Sequence, residues 1–426
     1  MNILKTALGM KVFILVLSNA MNYLIEDYDN SITLRGSHIP NSPIGKLFAG
    51  LARWDSLFFL QISHEGYLYE KNHAFFPLYP LLIRYLAKIL SPILFWLSVD
   101  DLHLISGILI SWANFIFATY FLIKLGKKIM GDKKYSQWCG LLFIINPATI
   151  FMTAICTTSL FSFLSMAGIY FLYRNVNWSH DKAAFIMPSF IDKAISCGFF
   201  TLATAARSNG SFLFVFLLCF AANSLFSNYM KKTLNFKIIF KEIFTLGLFG
   251  IIQISPIIIF TFYGASIYCT GQIQSPYCSK LFPNIYSYVQ ETYWNVGSFR
   301  YWEAKQIPNF LLASPMLYIS ICACFFYIKH DYKRFFSFSS TKSSKDSHEF
   351  LNNPLLVPFI WYWLLNIFII TFIANIQIAT RILASNPAVY WYIGQDTMGK
   401  HKWVIYFFII YMLVGTSFYS NFYPWT

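Results

Sequence analysis

Charge is scarce in this chain, and negative charge is scarcest. Only 12% of its 426 residues are charged, with 18 Asp and Glu against 32 Lys and Arg. Soluble domains carry about 25% charged residues, so this composition excludes an ordinary soluble protein. Internal repeats of the kind that build many transporters are missing. So is metal-ligand spacing such as His-x-x-x-His, and so is any nucleic-acid motif, despite a net charge of +14. The acidic triplet Asp27-Tyr28-Asp29 mimics a metal clamp but reads as a solvated loop at the end of the first apolar segment.

What is abundant is apolar and aromatic: 57% hydrophobic residues, 46 Phe and 28 Tyr. Repeated long apolar runs make the chain an all-α polytopic membrane protein, with aromatics serving lipid contact and interfacial belts. Basic residues fall in short clusters between those runs, as cytosolic anchoring places them. Cys139, Cys156, Cys197, Cys219, Cys322 and Cys324 lie in or beside apolar runs and read as packed thiols. Cys269 and Cys278 bracket a polar loop, and a lumenal position would let them form a disulfide.

Residues 10–25 read as a retained signal anchor with a cytosolic N-terminus. Further spans are expected at 102–123, 138–155, 160–173, 194–206, 212–226, 243–263, 310–328, 357–374 and 403–418. This predicts a single integral domain over 1–426 with about ten spans and both termini cytosolic. Residues 26–101 and 264–308 become lumenal loops, 377–402 another, and 329–353 a Ser- and Lys-rich cytosolic loop. The cluster Lys124, Lys127, Lys128, Lys133 and Lys134 is cytosolic on this count, and so is the sequon at Asn177. Within 26–101, Leu51, Trp54, Leu57, Phe58 and Ile62 recur at helical spacing, and a second helix follows Pro80. Both read as helices lying along the membrane surface.

The polar islands then gather on one side. They are Arg53-Trp54-Asp55-Ser56 with Glu65-Gly66-Tyr67, Ala74 through Pro80, Asn146-Pro147-Ala148, and Ala205 through Gly210. Tyr286 through Gln290, Tyr293 through Gly297, Gln306 through Leu311, Gln377 through Arg381, Ser385-Asn386-Pro387 and Tyr390-Trp391 complete them. In this order the set resembles the GPI mannosyltransferase 2 (PIG-V) family. The resemblance implies a GT-C-like transmembrane bundle with its active site at the lumenal face, in the endoplasmic reticulum membrane. It implies transfer of the second, α-1,6-linked mannose from dolichol-phosphate mannose to a mannosyl-glucosaminyl-(acyl)phosphatidylinositol, a GPI precursor. Both substrates are membrane lipids, no separate cofactor is implied, and fungal members are similar to proteins that work with a small membrane protein subunit. One departure stands out. A Ser-Glu-Ser type turn of the family is Cys156-Thr157-Thr158-Ser159 here, so Thr158 replaces its carboxylate.

The resemblance assigns Asp55 as general base. A carboxylate near an apolar wall accepts a proton from an alcohol more readily than one in water. A β-linked donor and an α-linked product require one inverting displacement, parallel to inverting glycosidases with the acceptor hydroxyl in place of water. Position alone also fits an interfacial Asp paired with Arg53 or capping a helix. The leaving phosphate calls for fixed positive charge. Candidates are Arg53, Arg84, Lys88, Arg207, Arg300 and Arg381, of which Arg207 and Arg381 are flanked by apolar spans. Either also fits headgroup snorkelling. His73 and Asn209 are candidate substrate donors and Trp54 a candidate sugar platform, each equally readable as a loop or interfacial residue. The alternatives are another polyprenyl-phosphate-sugar transferase, a lipid transporter or scramblase, and a non-catalytic transferase subunit.

Overall fold

The computed structural model describes residues 3–28, 39–179, 184–185, 187–270, 275–337, 350–399 and 402–425. Its helices are α1 (Ile3–Leu24), α2 (Pro43–Phe48), α3 (Asp55–Glu65), α4 (Leu78–Leu90), α5 (Val99–Met130), α6 (Lys133–Ile144), α7 (Thr157–Tyr173), α8 (Phe190–Ala206) and α9 (Phe214–Met230). There follow α10 (Phe236–Tyr268), α11 (Ile285–Trp294), α12 (Ile307–His330), α13 (Tyr332–Ser337), α14 (Val357–Phe372), α15 (Ala379–Leu383), α16 (Pro387–Gly399) and α17 (Trp403–Ser420). Trp178–Ser179 pairs antiparallel with Ala184–Phe185, a two-residue ladder in an otherwise helical fold. Of the expected Ser- and Lys-rich loop, residues 338–349 lie outside the described residues, as does Asp29, while 332–337 form α13.

Among the described residues, seven helices are long and apolar enough to cross a membrane: Ile3–Leu24, Val99–Met130, Ser208–Met230, Phe236–Tyr268, Ala304–His330, Pro354–Phe372 and Trp403–Ser420. The expected spans at 160–173 and 194–206 are the 17-residue helices α7 and α8. The expected span at 138–155 is different. Helix α6 stops at Ile144, and the chain continues through turns to Cys156. Those turns are buried in protein: Asn146, Ala148, Thr149, Ile150, Met152, Thr153, Ala154 and Ile155 are all fully covered. Non-helical backbone at membrane depth is tolerated only under such cover. The Asn146 side chain satisfies the Ala148 N–H (2.7 Å), Ser159 the Met152 carbonyl (2.7 Å) and the Trp112 indole the Thr153 carbonyl (3.1 Å).

The bundle has two ends. At one, Ser18 of α1 meets Ser420 of α17 (2.8 Å), and the Ile155 N–H reaches the Leu51 carbonyl (3.4 Å). At the other, Lys128 donates to Asn177 (2.8 Å), Asn353 donates to the Ile129 carbonyl (2.8 Å), and the Phe350 N–H donates to Gln395 (2.9 Å). The lysine cluster and the sequon asparagine therefore share the end opposite Leu51. Residues 377–402 do not form one loop at a single end. Ser385 bonds Ser162 in the first turns of α7 (2.9 Å), whereas Gln395 lies at the lysine end, so α16 runs the depth of the bundle. Ala388, Val389, Tyr390, Trp391 and Ile393 of α16 are buried. A helix that crosses inside the protein needs no long lipid-facing apolar run, which is why hydropathy passes over it. The extra crossing corrects the expected topology. Ile3 and Ser420 lie toward opposite ends of the bundle, Ile3 near Gly140 of α6 and Ser420 against Gly50.

Candidate active site

A 3-10 turn over Ala49–Leu51 leads into Trp54, whose backbone takes φ 54° and ψ −122°. That is an unfavourable region for a bulky residue, and strained backbone of this kind concentrates at functional sites. The reversal starts α3 at Asp55, placing its carboxylate in the first turn, where the helix dipole favours negative charge. The Asp55 side chain is 38% exposed and Oδ2 accepts from Arg381 Nη1 at 2.7 Å, with Arg381 only 15% exposed. Asp55 thus pairs with Arg381, not with its sequence neighbour Arg53, and sits at an open polar surface where the sequence pattern suggested an apolar wall. The Arg381 guanidinium lies over Phe151, 4.3 Å from the ring centre. Phe151 belongs to the buried turns and also meets Tyr419 edge-on at 5.4 Å. The Tyr419 hydroxyl donates to the Arg53 carbonyl (2.8 Å) and pairs with the Ser56 hydroxyl (2.9 Å).

Arg207 joins this pair from the end of α8. Its extended backbone (φ −157°, ψ 141°) terminates the helix and opens the 3-10 turn Ser208–Leu213. The turn folds so tightly on α8 that a Cβ at Gly210 would lie 2.4 Å from the Ala203 carbonyl carbon and the Thr204 nitrogen, so only glycine fits. Burial pulls the Arg207 guanidinium below its usual pKa. Arg381 adds to this, while Cys156, Asp55 and Tyr286 oppose it. Its ring contact is Phe161, at 5.5 Å. Ser208 bonds the Tyr286 hydroxyl of α11 at 2.8 Å, closing the site on the side of the 264–308 segment. Two arginines and one aspartate leave an excess positive charge. Around them Arg381 Nε, Thr380 Oγ1 and Asn209 Nδ2 are buried with no hydrogen-bond partner among the described residues. Buried donors in that state mark a place for a ligand or ordered water.

The other sequence candidates are engaged elsewhere. Arg53 donates to Asn22 (2.7 Å) and the Ser420 carbonyl (3.1 Å), pairs with Asp27 (3.2 Å) and covers Phe422 (4.5 Å). It ties α1 to the chain end. Trp54 packs near Phe422, ring centres 6.0 Å apart. His73 is fully buried, stacked on Phe260 at 3.7 Å, with Nε2 2.8 Å from the Phe260 carbonyl. Burial pulls its pKa down to about 4, so the ring is neutral at pH 7, and Nδ1 is buried with no hydrogen-bond partner among the described residues. Arg84 donates to the Ser63 (2.7 Å) and Ile62 (3.1 Å) carbonyls, capping the end of α3. Arg300 pairs with exposed Glu291 (2.6 Å). Cys269 and Cys278 are joined as a disulfide. Beside it Glu70 accepts from Ser275 (2.8 Å), Tyr277 (2.5 Å) and Tyr293 (3.1 Å), binding the first loop to the 264–308 segment. Thr158 is buried 3.4 Å from the Cys156 sulfur.

A cavity of about 490 Å³ lies at the other end of α3, lined by Ser63, His64, Arg84, Lys88 and His103, without any of the Asp55 group. Among the described residues no three His, Cys, Asp or Glu side chains gather as a metal site. Tyr419 and Phe151 were illegible in the sequence, because each lies in an apolar run and looks like any other aromatic there. Tyr286 and Ser208 stood inside quoted motifs, but nothing in the spacing paired them.

The family described as Mannosyltransferase (PIG-V) matches residues 1–426. GPI alpha-1,6-mannosyltransferase 2 of Cricetulus griseus is 27% identical, covering 100% of this chain and 98% of its own. GPI mannosyltransferase 2 of Drosophila pseudoobscura pseudoobscura is 28% identical over 99% of each, and that of Yarrowia lipolytica is 28% identical over 90% of this chain and 88% of its own. Among solved structures, the Archaeoglobus fulgidus oligosaccharyltransferase aligns with 98% of this chain and 55% of its own, at 12% identity and TM-score 0.47. The whole-length match sets aside the transporter and scramblase alternatives. A membrane bundle whose half-exposed Asp55 is held by Arg381, with a sequence that matches from end to end, belongs to the mannosyltransferase (PIG-V) family.

Proposed function

We propose that this mannosyltransferase adds the α-1,6-linked second mannose to a mannosyl-glucosaminyl-(acyl)phosphatidylinositol, taking it from dolichol-phosphate mannose. The GPI class of acceptor and the α-1,6 linkage are supported by the names of the relatives. The chemistry is supported by one observation, the Asp55–Arg381 pair at 2.7 Å with Arg207 in electrostatic range of both. Asp55 accepts the proton of the acceptor hydroxyl as that oxygen bonds to the anomeric carbon. The anomeric bond to phosphate breaks on the opposite face, inverting the centre, and dolichyl phosphate leaves with the electron pair. Arg207 and Arg381 balance its charge. Arg381 also holds the carboxylate in one orientation. The donor is already activated as a phosphate ester, so the step needs no cofactor. The Asp55 end faces the lumen of the endoplasmic reticulum, where both lipids present their headgroups.

The test is transfer from dolichol-phosphate mannose to a synthetic monomannosyl acceptor by purified protein, with the product linkage determined. Wild type yields an α-1,6 product and Asp55→Asn yields it about 10²- to 10⁴-fold more slowly. Full activity of Asp55→Asn removes the base assignment, and a different linkage removes the acceptor assignment.

A further inference from the structure

Asp55 follows a residue in an unfavourable backbone conformation, and something must hold that reversal in place. Loop strain persists only where the surroundings over-determine it. Three groups on the chain's last helical turn and beyond do so. The Tyr419 hydroxyl bonds both the Arg53 carbonyl (2.8 Å) and the Ser56 side chain (2.9 Å), the residues on either side of Trp54 and Asp55. The Ser420 carbonyl accepts from Arg53 Nε (3.1 Å), and Phe422 packs against both Trp54 and the Arg53 guanidinium. Tyr419 itself is 2% exposed and braced edge-on by Phe151, the ring beneath Arg381. One phenol therefore touches the backbone that sets the Asp55 carboxylate and the platform that sets its arginine partner.

We propose that Tyr419 is a positioning residue for this reaction. Its hydroxyl clamps the Arg53–Ser56 turn so that Asp55 and Arg381 meet in the reacting geometry, and the chain's final turn is thereby part of the active site. The inference rests on Asp55 acting as the base. Tyr419 touches no reacting atom. Removing its hydroxyl leaves the ring packing intact but frees the turn to relax by a fraction of an ångström. Displacements of about 1 Å in a catalytic group cost on the order of 100-fold in rate.

The test is a double-mutant cycle on the purified full-length enzyme with Tyr419→Phe and Asp55→Asn. Tyr419→Phe is expected to lower kcat about 10- to 100-fold while KM for donor and acceptor stays within about twofold. Added to Asp55→Asn, it is expected to lower the residual rate no further, because a positioning residue acts only through the group it positions. Ser56→Ala, which breaks the same clamp from the other side, is expected to repeat the kcat effect. A wild-type kcat for Tyr419→Phe overturns the proposal, and so does an equal loss in both Asp55 backgrounds, which marks a purely structural role. Should Tyr419→Phe fail to fold, the Ser56→Ala result decides on the same criteria. Full activity of Asp55→Asn identifies failure of the base assignment instead.

Discussion

Asp55 and Arg381 stand 326 residues apart in the chain and 2.7 Å apart in space. The first is delivered by a strained reversal before α3, the second by the short helix between α14 and α16. Removing the carboxylate's basicity while keeping its shape is the most direct probe. Asp55→Asn is expected to lower kcat by about 10²- to 10⁴-fold, the usual contribution of a general base, with near-normal expression and thermal stability, measured by transfer assay and by melting in detergent.

Arg207 and Arg53 separate phosphate binding from architecture. Arg207→Gln removes a half-buried charge whose described surroundings include Arg381 and Asp55. It is expected to cut kcat/KM for the donor about 10- to 100-fold, the worth of hydrogen bonds to a charged group. Arg53→Gln loosens the tie between α1 and residues 420–422. Its main effect is a lower melting temperature, seen alongside a smaller loss of rate.

His73 gives the fold a pH dependence whose sign follows from burial. Its folded pKa is about 4 against an ordinary 6.5. Between those values the unfolded chain binds a proton that the folded chain refuses, so stability rises with pH through that window and is flat above it. Melting temperatures measured from pH 4.5 to 8 are expected to fall toward acid more steeply in wild type than in His73→Asn. Equal slopes show that His73 is not the group responsible.

The crossing by α16 predicts opposite sides for the chain ends. A glycosylation tag appended after Thr426 is expected to be modified when the protein is made in the endoplasmic reticulum. The same tag before Met1 is not, and neither is Asn177. Modification of neither terminus restores the even-numbered topology and removes α16 as a crossing.

The disulfide between Cys269 and Cys278 closes a loop with a sequence separation of 9. Chain entropy alone values such a closure at about 2–3 kcal/mol. Cys269→Ser with Cys278→Ser is expected to lower the melting temperature and to bring reducing and non-reducing conditions to the same value.

The sequence by itself determined the solvent, the helices and the motif residues. Runs such as 236–268 must face lipid, and a lipid-facing helix writes its apolar requirement into every turn. The Arg53-Trp54-Asp55 block and the Arg207 turn stand out because polar residues between apolar runs are conspicuous. Only the tertiary structure decided which of them work together. Arg53 adjoins Asp55 in sequence, but the reversal at Trp54 turns it toward Asn22 and Ser420, and Arg381 takes the carboxylate. Helix α16 crosses inside the protein, where cover comes from neighbouring helices and not from its own side chains, so hydropathy passes over it. The turns at 145–156 lie in an apolar run that reads as a span, and only the packing shows that the backbone there is not helical. Tyr419 reads as one aromatic among many until α17 brings its hydroxyl to the turn that carries Asp55.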